Sequence, residues 1–518
     1  MRPTLRRSCA ACAKYKHSCD LRTPRCSRCI KRKVQCVYAN EPLTAPPPGH
    51  QPGTGGSTTD TSVSLTGNRF GSFDPFDIYP PTRLPRDHVQ RLIHSFLHKI
   101  AFQYYPLDLN ATSNPFLVSW WPLALGDPAL FHVSLQTACL DEEMMARKGF
   151  HASEILMADS VVLLRKKVED PSLAVQDGTM NSVITLAAIE FGKGNVEVSQ
   201  MHVDGAKKLV NLRGGINSVR QTSPLTARMI SWVSLLVMGH PQFSTQDDVG
   251  IGDGIPPIPE WQLDLSNSSH KHTSFLTTLD VINDFEVRNV FTRLHSAFTR
   301  AQQIPFSSTR LHDLTCFVIH RLLLSASDPP ITSSSPMTEC IRYATILYMF
   351  IIHGPTYYSH AVIMNTITAR LINHLKDLDL TPHFYESLDV WLIAIGLVAS
   401  ANTPQYQEFK ERAEIIAPSL QLETWNDAHM HIKSILWMEN AQADHIFCPH
   451  WEAIFSNKSY AYPYPALLQV ADDSPLPVIP GLEYALSEAI SLPSILAPDI
   501  LDTHVRSTYR LQDVEGRI

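Results

Sequence analysis

Six of the ten cysteines in this 518-residue chain stand near its start, in the order Cys9-x2-Cys12-x6-Cys19-x6-Cys26-x2-Cys29-x6-Cys36. The spacing is an internal repeat, since Cys9, Cys12 and Cys19 recur 17 residues later as Cys26, Cys29 and Cys36. An x2 gap lets two thiolates grip one ion from a tight turn, and zinc takes four such ligands in a tetrahedron. Two separate four-coordinate ions ask for eight ligands, so six thiolates suffice only if two of them bridge both metals. The symmetry of the repeat nominates the residues that open each copy, Cys9 and Cys26.

Other readings of the cysteines fit less well. RING and LIM modules need longer gaps and usually histidine ligands, and His17 lies in the wrong place for one. Iron–sulfur ligation would use four cysteines and leave the 17-residue repeat unexplained. A disulfide framework is not expected, because the N-terminus has no apolar core of a secretory signal and the cysteines of an intracellular chain are kept reduced. The first 40 residues also hold few large apolar side chains, so bound metal must supply most of their folding energy.

Charge separates this head from the rest. Residues 1–38 carry eleven Lys and Arg against the single acid Asp20, a charge of +10, while the remaining 480 residues sum to −17. A basic head on an acidic body points to a polyanion partner for the head alone. Two Zn²⁺ and six thiolates add −2, so the head keeps most of its charge with metal bound. The cations lie between and just outside the cysteines, where a metal-fixed scaffold can hold them against phosphates.

Beyond the head, residues 40–86 contain nine prolines and six glycines and read as a flexible linker. Apolar residues then recur at helical steps, as in Val89, Leu92, Ile93, Phe96, Leu97, Ile100 and Ala101. Asp127-Pro128 is a cap followed by a proline in the first turn of a helix. Further helices are expected at 153–168, 179–191, 196–213, 224–238, 285–301, 309–325, 337–352, 384–400 and 425–438. Gly192 and Gly214-Gly215 stand where left-handed helix ends are expected. The apolar run from Val390 to Ala401 is 12 residues, well short of the ~20 that span a bilayer, and reads as a buried helix. Residues 459–505 have no Lys or Arg, six acids and seven prolines, an acidic tail of the kind that can serve in activation or wrap the body loosely. The expected fold is thus a small zinc-stabilised N-terminal module plus a large all-α domain of helical hairpins. Its parts are 1–39, the linker 40–86, the helical body 87–458 and the tail 459–518.

The cysteine pattern resembles the DNA-binding domain of fungal binuclear zinc-cluster transcription factors. Pro24, two residues before Cys26, and Asp20 after Cys19 fit that family as well. The resemblance implies the same bridging pair, Cys9 and Cys26, and a short helix after the second cysteine that reads a CGG triplet in the major groove, mainly through a lysine. By position that lysine is Lys16. The family usually has basic residues at the positions of Ala13, Tyr15 and Ser18, and this chain has none there; Lys14 stands beside the gap and Tyr15 can donate to a phosphate. Arg25, Arg28, Lys31, Arg32 and Lys33 are expected to contact phosphates or direct nuclear import. The body resembles the second type of fungal-specific transcription factor domain, through DPALFHVSLQTA (127–138), LVNLRGG (209–215), FVIHRLLLS (317–325) and VWLIAIGLVAS (390–400), with Trp425, Trp437 and Trp451 beyond. This implies an all-helical regulatory domain concerned with dimerisation, effector response or coregulator contact, and target genes that are often metabolic, at times a secondary-metabolite cluster.

The expectation that follows is a nuclear, non-enzymatic regulator of RNA polymerase II transcription that holds two Zn²⁺ and binds double-stranded promoter DNA, with transcription coregulators as further partners and no membrane association. The alternative is a zinc-dependent interaction protein with weakened DNA reading. No heptad repeat follows the cysteines, so a homodimer would form through the helical body. His445-x2-Cys448-x-His450 lacks a fourth ligand, Asp247, Asp248 and Asp253 lack calcium-loop spacing, and Cys139, Cys316 and Cys340 fall on apolar helix faces. No phosphate loop, HExxH or GxSxG is present.

Overall fold

The computed structural model describes residues 10–15, 17–19, 26–34, 36, 79–147, 149–263, 273–326, 335–379, 386–439 and 443–456. They fall into two separate units, divided between Ser72 and Phe73. The first contains two short helices, α1 (Ala10–Lys14) and α2 (Ser27–Arg32). The second begins with α3 (Arg86–Ser95), which runs on through a π-helical turn at Phe96–Ile100.

Several long helices of the second unit start at a residue whose side chain satisfies free N–H groups of the first turn. In α4 (Pro128–Ala146) Asp127 accepts from the N–H of Ala129 and Leu130, and Pro128 fills a position where no N–H is needed. Then follow α5 (His151–Val168), α6 (Asp177–Gly192), α7 (Val196–Leu212), α8 (Pro224–Met238) and α9 (Phe285–Ala301). Asp284 caps α9, Ser307 caps α10 (Ser308–Ser325) and Ser335 caps α11 (Pro336–His353). The chain continues with α12 (Ala361–Asp379), α13 (Ser387–Ala399), α14 (Tyr406–Ser419), α15 (Trp425–Ile435) and α16 (Ala443–Phe455). Helices adjacent in sequence pack together, α4 on α5, α6 on α7 and α11 on α12, and α13 lies against both α14 and α15. This is the hairpin architecture expected from the periodicity. Among the described residues there is no strand, only an isolated bridge between Thr245 and Ile255.

One continuous apolar core runs from Leu84 to Ile454, with Trp120, Trp261, Trp391 and Trp451 fully buried. The apolar run that the sequence marked as a buried helix is α13, whose Trp391 donates to the carbonyl of Leu436 at 2.9 Å. Gly396 in α13 has no room for a side chain unless the ring of Phe409 shifts, since an added Cβ would lie 2.0 Å from a ring carbon. A buried ion cluster ties α10 to α8, with Asp313 accepting from Arg220 (2.9 and 2.6 Å) and from Arg228 (2.8 and 2.9 Å).

Three expectations need correction or closer definition. Gly192 is not a left-handed helix end: α6 includes it, and the positive φ (82°) belongs to Gly194. Gly214 and Gly215 do take positive φ, at 94° and 93°. Helices α12, α14 and α16 stand where none was expected. The last residues of the expected linker lie against the body, with Tyr79 stacked on Phe131 at 5.7 Å and Arg83 hydrogen-bonded to Asp159 at 3.0 Å. The expected acidic tail, 459–518, lies outside the described residues.

Candidate metal centre and nucleic-acid interface

The x2 spacing works in α2 as the ligand arithmetic requires. Cys26 occupies the N-cap of this helix in extended conformation, and its Sγ accepts from the N–H of Cys29 at 3.4 Å. Two sulfurs are thereby placed one turn apart on the same side of a short helix. The N–H of Cys26 in turn donates to the Sγ of Cys36 at 3.3 Å, which draws the end of the second repeat back to its beginning. The helix stops at Lys33, which takes the left-handed conformation (φ 53°), and Val34 N–H donates to the carbonyl of Cys29 at 3.1 Å.

The repeat in sequence is also a repeat in structure. His17 N–H donates to the carbonyl of Cys12 at 2.9 Å, the same bond shifted by the 17 residues that separate the two copies. Helices α1 and α2 are therefore equivalent turns around one centre.

At that centre the sulfurs of Cys12, Cys26 and Cys29 all lie within 4.8 Å of one another. The Cys12 and Cys26 sulfurs are 3.7 Å apart. Thiolates at ~2.3 Å from a shared tetrahedral zinc stand about 3.8 Å apart, whereas a disulfide requires about 2.05 Å. Cys26 is completely buried, Cys12, Cys29 and Cys36 nearly so, and Cys19 partly. Among the described residues of this unit the buried cluster consists of these cysteines, with Ala11 packed against it. The donor set thus fits zinc ions. Cys9 lies outside the described residues.

The outer faces are cationic. Lys14 and Tyr15 on the first repeat and Arg28, Lys31, Arg32 and Lys33 on the second are exposed, and no carboxylate occurs among the described residues of this unit. The two candidate contact residues Lys16 and Arg25 lie outside the described residues. One contact had no signal in the sequence: Arg32 Nη1 donates to His17 Nε2 at 2.9 Å, linking the two repeats.

The signals set aside from the sequence have structural partners in the body. His450 is buried, pushed down to about 4 by burial, and its Nδ1 lies 3.2 Å from the Tyr406 hydroxyl. Asp248 binds Arg321, Arg293, Asn289 and Trp261. Burial raises the thiols of Cys139 and Cys316 to about 12, as befits inert core residues. Among the described residues, the cysteine centre is the only group of three or more potential ligand atoms so close together. No helix among them is long and apolar enough to cross a membrane.

Residues 7–45 match the fungal Zn(2)-Cys(6) binuclear cluster domain, and residues 91–240 match the fungal specific transcription factor domain. The second match takes in DPALFHVSLQTA and LVNLRGG and ends before the phrases at 317–325 and 390–400. No curated protein and no solved structure matches the chain. The resemblance drawn from the residues is borne out: the chain joins a DNA-binding head that holds two zinc ions to a fungal transcription-factor domain. Both are domains of transcription regulators, not of enzymes, and imply a nuclear protein.

Proposed function

We propose that this chain is a sequence-specific regulator of RNA polymerase II transcription that reads CGG-like half-sites in promoter DNA. The observation that carries the reading is the gathering of Cys12, Cys26 and Cys29 sulfurs within 4.8 Å at the base of two helices with no acidic side chain. In this proposal all six cysteines are ligands, with Cys9 and Cys26 bridging the ions. Lys16, after α1, reaches the O6 and N7 acceptors of guanine, for which a lysine in the major groove is suited. Lys14, Tyr15, Arg25, Arg28 and Lys31 hold the backbone phosphates and set the register of the module on the duplex.

Residues 1–39 then form the DNA-binding domain, 40–86 the linker and 87–458 the regulatory domain, which also carries a homodimer contact and the surface for coregulators, with 459–518 as the tail. A metabolic gene set, such as a secondary-metabolite cluster, is the class of target this architecture suits.

A gel-shift titration of the full chain against duplexes with and without CGG tests the reading. Binding should favour CGG, vanish on zinc chelation and lose its base preference in Lys16→Ala. Binding that survives complete removal of zinc would refute the mechanism. Intact zinc with no affinity for any duplex would leave the interaction-protein reading in its place, which the non-basic Tyr15 on the expected reading helix favours.

A further inference from the structure

The expected reading helix is short of cations at Ala13, Tyr15 and Ser18, and the structure contains a device that makes up the shortage. Tyr15 is exposed, with 58% of its surface open. The Lys14 ammonium stands over its ring at 5.8 Å from the centroid. Tyr15 also faces His17, stacked at 6.5 Å with 30° between the planes. His17 Nε2 accepts the hydrogen bond from Arg32, which comes from the far end of α2 in the second repeat. Lys14, Tyr15, His17 and Arg32 therefore form one continuous surface across the pseudo-symmetric module.

We infer that Arg32 is a DNA-phosphate ligand lent by the second repeat to the face of the first, and that His17 is the positioning residue that holds it there. The inference rests on the reading of the module as a DNA-binding domain. Its chemistry follows from the groups themselves. An arginine presents five N–H donors in a rigid fork, and one bond to an imidazole nitrogen leaves the others free for phosphate oxygens. A histidine acceptor holds the guanidinium without cancelling its charge, as a carboxylate would. Fixing the side chain beforehand also removes the entropy cost of ordering it on binding. Tyr15 and Lys14 complete the surface: the ring packs on the imidazole and confines it, while the ammonium adds a second positive charge.

The test is a gel-shift titration of the full chain over a range of salt concentrations, on a CGG duplex and on a random duplex of equal length, with zinc content measured for every variant. Arg32→Ala should keep two zinc ions, weaken binding to both duplexes about eightfold near 0.1 M salt, and lower the salt slope by about one. His17→Ala should weaken binding roughly two- to tenfold, and His17→Gln, which keeps an acceptor, should restore it. In the Arg32→Ala background His17→Ala should cause no further loss, the mark of a residue acting through another. The inference is overturned if Arg32→Ala, with both zinc ions in place, leaves the salt slope unchanged, or if the two losses simply add. A wild-type chain that binds no duplex would instead overturn the function on which the inference rests.

Discussion

Replacing Cys26 by alanine should remove both zinc ions, whereas the same change at Cys19 should remove one. Cys26 is completely buried, and its sulfur lies 3.7 Å from that of Cys12 in the other repeat. The same sulfur accepts from Cys29 N–H at 3.4 Å, while its own N–H is directed to Cys36 at 3.3 Å. If Cys26 bridges, its loss leaves each ion with three ligands, and the buried cluster among the described residues holds just Ala11 and the remaining cysteines to compensate. Structural zinc contributes roughly 10–16 kcal/mol per site. Cys19 is only partly buried and closes a single repeat, so removing it leaves four thiolates for the other ion. Native mass spectrometry of the full chain, purified in zinc, should count two ions in the wild type, about one in Cys19→Ala and none in Cys26→Ala. If Cys26→Ala keeps an ion, or both variants lose the same number, the bridging assignment is wrong.

Three predictions concern the helical body. His312, His320 and His353 are buried, the first two held near 4 by burial and the third well below its ordinary value of 6.5. The unfolded chain therefore binds protons below pH ~6.5 that the folded chain refuses. Stability is fully present above that pH and falls as the pH drops towards 4. His312 and His320 should each remove on the order of 1 kcal/mol between pH 7.5 and 5.5, with His353 acting in the same direction, and equal denaturation midpoints at the two values would contradict the assignment. Asp313→Ala leaves Arg220 and Arg228 without their shared carboxylate and should cost about 3–5 kcal/mol, measured by urea unfolding; a loss below about 1 kcal/mol would show that solvent already screens the cluster. Gly396→Val forces a side chain into the ring of Phe409 and should lower the melting temperature of the body, with Phe409→Leu recovering part of the loss. An unchanged melting temperature would mean that α13 and α14 are free to separate.

Much of this molecule was legible in the sequence wherever structure depends on nearby residues. Ligand spacing is local, so the cysteines announced both their turn and their repeat, and the hydrogen bonds from His17 and Val34 carry that repeat into the backbone. Capping is local too, which is why Asp127-Pro128 marked the start of α4 correctly. Local signals failed where the tertiary environment overrode them. Helices α14 and α16 contain Pro418 and Pro449, residues that read as breakers. Helix α12 carries the β-branched residues Val362, Ile363, Thr366, Ile367 and Thr368, whose intrinsic helix preference is weak. Burial of Ile363, Met364, Ile367 and Leu371 against the core is what holds it. Gly192 read as a left-handed helix end because glycine tolerates positive φ, yet it is the last helical residue and the positive φ comes two residues later, at Gly194. The contact between His17 and Arg32 was the least legible, since the two residues are 15 apart and meet only because the cysteines fold the repeats together. A thin basic helix, judged from its own residues, suggested weak DNA reading. Judged with the side chain that the second repeat places beside it, the same helix belongs to a cationic surface that no single segment of the sequence contains.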